Sequence, residues 1–180
     1  YDEKQHYLPS NAYILTSNTI PIKYLLAILN SHVLKYYFGF IGVMTAGGAY
    51  TLKHATIQQL PIKLYKNNNI LCTLVDYIIF LKSQILDNPS DQLIPTYFEQ
   101  IIDGMVYELY FPELLKKHNR EIIEHLSELP EFTEDMSDEQ KMQICKKVFD
   151  RLNDKEHPAR VNLEKMKEEI KEIRIIEGLE

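Results

Sequence analysis

Between Leu25 and Leu64 the chain reads LLAILNSHVLKYYFGFIGVMTAGGAYTLKHATIQQLPIKL, and no other stretch constrains the fold as much. Apolar residues at helical spacing lead into paired glycines with aromatic, hydroxyl and basic neighbours, and a second apolar run is closed by Leu60-Pro61-Ile62. About forty residues so patterned make a supersecondary unit rather than a linker. A helix is expected from near Pro21, because proline fits the first turn, where its missing N–H has no intrahelical partner, with Thr19 able to cap. Ile22, Leu26, Leu29, Val33, Tyr37 and Phe40 recur at helical spacing and predict the buried stripe. Asn30-Ser31 interrupts it with residues that favour ends and caps, which allows two short helices meeting at Ser31 in place of one.

Upstream, Ala12 to Thr16 reads as a strand between turns. Downstream, residues 39–48 are expected to form a loop, Tyr50 to Lys53 a strand, Ala55 to Gln59 a helical turn and Leu60 to Tyr65 an extended run, with Pro61 pushing Leu60 out of helix. Lys66-Asn67-Asn68-Asn69 is polar and unpatterned and marks the clearest boundary. Beyond it, helices are expected at residues 70–86, from the Thr96-to-Glu99 capping box to about Tyr110, from Pro112 to Leu126, from the second capping box at Ser137 to Gln140, and from Pro158. The last two present Met142, Cys145, Val148, Phe149 and Leu152, then Leu163, Met166, Ile170 and Ile173, as apolar stripes. The expected class is α+β: a small mixed sheet with helices in the N-terminal part, then an all-helical C-terminal part. Three regions follow, a DNA-facing region at 1–69, a helical part of the same domain at 70–130, and an acidic linker with C-terminal helices at 131–180.

With 45% apolar residues, 12 Tyr and 7 Phe, the chain can bury a core. No membrane-length apolar run and no basic-plus-apolar leader occur, and a start at Tyr1 rather than Met reads as a fragment of a longer cytoplasmic polypeptide. Cys72 and Cys145 sit singly in apolar helical patterns, the mark of reduced core thiols, and the six histidines form no HxxxH pair, so no metal site is expected. The net charge of −6 is unevenly shared. Residues 1–70 hold six lysines against Asp2 and Glu3, a net +4, while the rest carries −10, and Arg is absent before Arg120. Such asymmetry suits a polyanion-facing part, although a modest lysine excess is also ordinary solvated surface.

Gly42 to Gly47 has phosphate-loop spacing, but Gly48 and Ala49 stand where Lys and Ser/Thr would have to reach phosphate and magnesium. Glu169-Ile170-Lys171 has the look of a nuclease tail, yet lies in a Glu/Lys-rich helical stretch and reads as an exposed face. No nucleophile elbow or dinucleotide-binding fingerprint appears, so no catalytic residue is assigned. Gly47-Gly48-Ala49-Tyr50-Thr51-Leu52-Lys53-His54 carries more chemistry. Paired glycines permit positive φ and close backbone approach. In the strand after them, Tyr50, Leu52 and His54 alternate with Thr51 and Lys53, whose hydroxyl and ammonium donors suit phosphate oxygens and base edges. A plain hairpin turn accounts for the same residues.

Leu25-Leu-Ala-Ile-Leu-Asn-Ser31, then Tyr36-Tyr37-Phe38, Gly47-Gly48-Ala49-Tyr50 and Leu60-Pro61-Ile62, in this order, resembles the TaqI-like C-terminal specificity (target-recognition) domain of bacterial N6-adenine DNA methyltransferases and type II restriction-modification enzymes. The likeness runs over about residues 7–126, since Tyr97 to Pro112 is similar to the helical segment that follows in that family. The resemblance implies a domain that reads a short double-stranded DNA sequence while the catalytic methyltransferase domain of the same polypeptide flips out an adenine. It places Lys35, Gly47, Gly48, Tyr50, Thr51, Lys53 and His54 on the DNA face. The family's Asn/Asp-Pro-Pro-Tyr/Phe motif and S-adenosylmethionine loop are missing here, so this chain is expected to be no enzyme and to bind no cofactor, S-adenosylmethionine belonging to the absent catalytic domain. The rival expectation is a helical scaffold that docks a protein and makes no DNA contact.

Overall fold

A computed structural model of the chain describes residues 14–44, 48, 50–51, 53–65, 69–84, 92–126 and 129–180. The break expected at Asn30-Ser31 is present. Helix α1 (Ile22–Asn30) ends there and α2 (His32–Ile41) begins, with the Ser31 hydroxyl donating to Ile28 O at 2.7 Å and accepting the Leu34 N–H at 3.4 Å. One buried serine thus closes one helix and caps the next. Thr19 does not cap α1. Pro21 occupies the cap position, and Ser17 Oγ accepts the N–H groups of Thr19 and Ile20.

The break also resets the helical phase, so the buried face differs from the expected stripe. Tyr24, Leu25, Ala27, Ile28, Val33 and Leu34 are buried, whereas Phe40 is 71% exposed and Tyr37 36%. Helix α2 runs on to Ile41, into the expected loop, and a hairpin follows in which β1 (Val43–Met44) pairs antiparallel with β2 (Tyr50–Thr51), Val43 opposite Thr51 and Met44 opposite Tyr50. Of the strand expected at 12–16, residues 14–16 are described and form no strand, while Ala12 and Tyr13 lie outside the described residues. His54 opens α3 (His54–Ile57) instead of extending β2. The α+β arrangement therefore holds, with a two-stranded sheet near the N-terminal part and helices after it.

Helices α4 (Asn69–Gln84) and α5 (Leu93–Tyr110) form the centre. Phe98, Ile101, Met105, Val106 and Tyr107 of α5 are all but inaccessible, each such side chain contributing about 1.5–3 kcal/mol by leaving water. Helix α5 starts three residues before Thr96, because Pro95 fits its first turn; Glu99, expected in a capping box, instead pairs with Lys82 of α4. Pro112 opens α6 (Pro112–His118), which stops well short of Leu126. Asn119 is left-handed at φ 53° and the Arg120 N–H returns to Leu115 O, an ending that asparagine tolerates better than most residues. A 3₁₀ turn at Ile123–His125 follows.

Ser137 and Gln140 form the expected reciprocal capping box at the start of α7 (Asp138–Leu152). The helix from Pro158 is broken at Ile170 into α8 (Pro158–Glu169) and α9 (Lys171–Glu177), yet Leu163, Met166, Ile170 and Ile173 are all buried as expected. One apolar cluster runs from Tyr24 to Ile173. Tyrosine hydroxyls stitch its margins: Tyr77 donates to Pro130 O, Tyr97 to Leu152 O and Tyr107 to Glu177 Oε1. Burial pushes Tyr97 up to about 12 and Tyr77 higher, so these hydroxyls stay protonated donors. Within the acidic segment, Phe132 packs on Tyr77 and Phe80 at ring distances of 5.1 and 5.5 Å.

Candidate nucleic-acid interface

The outer half of α2 and the hairpin form one surface because two glycines let an aromatic ring lie between them. Lys35, Phe38, Gly39 and Gly42 fall on one side of the helix at spacings of three, four and seven. Tyr50, from β2, lies across that side, its ring edge-to-face with Phe38 at 5.5 Å. A methyl group on Gly42 would stand 2.7 Å from both Phe38 O and Tyr50 Cδ1, and one on Gly39 would stand 3.6 Å from Tyr50 Oη. The next side of α2 shows Tyr36 and Phe40, packed edge-to-face at 5.0 Å. With Val43 and Met44 of β1 they make an aromatic and aliphatic rim in contact with water.

Lys35 is exposed on α2 and Lys53 is exposed just past β2; among the described residues neither is ion-paired. Gly48 has φ +80°, the left-handed conformation anticipated for the glycine pair; Gly47 lies outside the described residues. Thr51 is half-buried opposite Val43. The structure thus joins Lys35 to Tyr50 through the Phe38–Gly42 face, whereas Lys53 and His54 follow the hairpin with no printed side-chain tie to that pair. His54 is exposed at the start of α3, so the expected strand alternation ends before it. Reading the sequence missed Tyr36, Phe40 and Met44 as surface groups. Their apolar character fitted a buried stripe, and only the phase reset at Ser31 shows otherwise.

Leu60-Pro61-Ile62 ties this unit to the helices behind it. Tyr24 donates its hydroxyl to Lys63 O at 2.6 Å, while Tyr110 donates to Pro61 O and accepts the Lys63 N–H at 3.2 Å. Two phenols thereby satisfy an extended segment that has no strand neighbour of its own. Burial pushes Tyr24 up to about 12 and Tyr110 upward as well, which keeps both as donors. Among the described residues no group of three or more His, Cys, Asp or Glu is placed to hold a metal, and no helix is long and apolar enough to cross a membrane.

A surface of this kind, a helix face with a hairpin set against it in the lysine-bearing part of the chain, belongs to a known class. Residues 1–62 match the TaqI-like C-terminal specificity domain, so the resemblance read from the sequence is borne out over that span. A protein of Methanocaldococcus jannaschii, carried under the name of a type II restriction enzyme and methyltransferase, is 33% identical over 97 residues, 52% of this chain. That match covers only 8% of the relative's length. No solved structure matches the chain.

Proposed function

We propose that this chain reads a short double-stranded DNA sequence for a restriction-modification adenine methyltransferase, holding the duplex for a catalytic domain elsewhere in the same polypeptide. The observation that carries this reading is that the specificity-domain match spans the whole of α2, the hairpin and α3, the elements that bear the exposed lysines and aromatics. Lys35 and Lys53 contact phosphates, and Tyr50, Thr51 and His54 reach toward base edges, with Gly47 and Gly48 letting the backbone come close. With no Arg before Arg120, a guanine contact from this part uses Lys or a neutral donor. In this reading S-adenosylmethionine and the groups that act on the flipped adenine belong to the catalytic domain, and this chain supplies no catalytic residue.

Sequencing methylated bases in cells that express the intact gene tests the reading directly. Lys53→Ala is expected to change the methylated sequence, or to weaken DNA affinity and lower the salt slope by about one if the contact is to phosphate. An unchanged methylation pattern, affinity and salt slope would remove Lys53 from the interface. One observation favours a second reading, a protein-docking surface: Phe40, Met44 and Leu64 are 60% or more exposed. Binding to DNA that weakens steeply with salt separates the first reading from the second.

A further inference from the structure

Helix α2 is held from behind by a carboxylate 71 residues away in sequence. Asp103, on α5 and 5% exposed, accepts the backbone N–H of His32 on Oδ1 at 2.8 Å and meets His32 Nδ1 through Oδ2 at 2.6 Å. His32 is the first residue of α2, so one carboxylate satisfies an N–H that the helix leaves open and orients the imidazole beside it. The far end of the same helix, on the order of 15 Å away by helical rise, bears Tyr36 and Phe40 and seats Tyr50. A tilt at its first turn is carried to that end, because α2 is one rigid element. Resting on the reading above, we propose that Asp103 is a positioning residue for DNA recognition: acting through His32, it sets the direction of α2 and so the surface presented to DNA.

The charges around His32 come from each element packed on it. Asp103 lies on α5, Glu177 on α9 and Lys167 on α8, with Lys167 paired to Glu177 at 2.7 Å. Helix α1 adds the neutral Asn30 at a cavity of about 530 Å³, across which Lys82 and Glu99 pair with each other. The bond to Asp103 holds the imidazole above its ordinary 6.5, although burial opposes it. The charged pair is therefore complete at low pH and weakens as pH rises through that raised value.

The test offers the full chain a random-sequence pool of duplexes, then titrates the enriched duplex by fluorescence anisotropy from about pH 5.5 to about pH 8.5, the histidine range. Asp103→Asn keeps an oxygen for the His32 N–H and removes the charge. It is expected to bind about tenfold more weakly at the acid end, the scale of losing a charge-assisted bond, and to flatten the pH profile. His32→Gln leaves Asp103 bonded to the backbone and is expected to flatten the profile likewise, so the test stands even where Asp103→Asn fails to fold. His54 also titrates, so the difference between wild type and variants is what counts. Variants that stay folded by circular dichroism and keep the wild-type affinity and pH profile would overturn the positioning role alone. A wild-type chain that enriches no duplex and binds none would overturn the DNA reading and this proposal with it.

Discussion

Two glycines three residues apart in α2 and its cap are expected to respond to alanine with opposite signs. Gly42 is extended, at φ −71° and ψ 144°, so alanine is not excluded there by backbone strain. Space excludes it: the new methyl would lie 2.7 Å from Phe38 O, which is fixed in the helix, and 2.7 Å from Tyr50 Cδ1. Relief requires Tyr50 to swing off its edge-to-face contact with Phe38, and overpacking of this kind costs about 1–3 kcal/mol. Gly39 sits inside α2, where a methyl meets only Tyr50 Oη at an ordinary 3.6 Å, so Gly39→Ala gains about 0.5–1 kcal/mol of helix propensity with nothing against it. In a chain of this size each kcal/mol moves the melting temperature by about 2–4 °C. Thermal melts followed by circular dichroism, with hydrogen exchange at the Val43 and Thr51 amides to catch loosening confined to the hairpin, measure both variants. Gly42→Ala as stable and as protected as wild type, or Gly39→Ala as damaging as Gly42→Ala, would refute the packing argument.

Tyr110→Phe removes a hydroxyl that serves both Pro61 O and the Lys63 N–H, so it is expected to cost about 1–2 kcal/mol and to speed exchange at the Lys63 amide; unchanged exchange would show that the segment is held otherwise. Burial pushes the Glu177 carboxyl up, but Lys167 and the Tyr107 hydroxyl together hold it below its ordinary 4.5. Its contribution is therefore present above the unfolded pKa and lost as pH falls through the lower folded one, and Lys167→Met is expected to move the acid-unfolding midpoint to higher pH. A fragment of residues 1–65 is expected to show no cooperative thermal transition, because the faces of Tyr24, Ile28 and Leu34 would meet water instead of α4 and α5. A sharp melt of that fragment would show that the N-terminal part folds alone.

What was legible in the sequence is what local chemistry decides. The Ser137–Gln140 capping box, the Ser31 break, Pro112 and Pro158 at helix starts, and the C-terminal stripes each depend on neighbours a few residues away. The start of α5 was misread because the Thr96–Glu99 pattern looks like a cap whether or not a turn precedes it, and Pro95 inside that turn resembles a boundary. The break at Ile170 carries no glycine or proline, and Ile170 stays on the apolar stripe, so periodicity passes over it. In the candidate interface, the aromatics were legible as a group but not their side of the helix. From Tyr24 to Ile28 every residue is apolar, which leaves the phase to be set by packing. The His32–Asp103 bond had no local signal, since each residue is unremarkable until the fold joins them.

The edge of the specificity-domain match at Ile62 is an edge in sequence and not in the forces that hold the surface. Helix α1 buries its face on α4, the Leu60–Lys63 segment hangs from Tyr24 and from Tyr110 of α5, and α2 is pinned by Asp103 of α5. Helix α9, at the other end of the chain, closes on α2 as well, placing Glu177 near His32. Sequence reading by a surface needs side chains held to within fractions of an ångström, and ten residues of α2 with two two-residue strands cannot supply that rigidity. The acidic helices after residue 70 therefore have a physical task even where they touch no DNA: they supply the buried mass and the fixed hydrogen-bond partners that turn a short helix and a hairpin into a defined surface. Their negative charge, carried on solvated faces away from α2, is compatible with that task because the lysines of the N-terminal part stand on the opposite side of the charge division at residue 70.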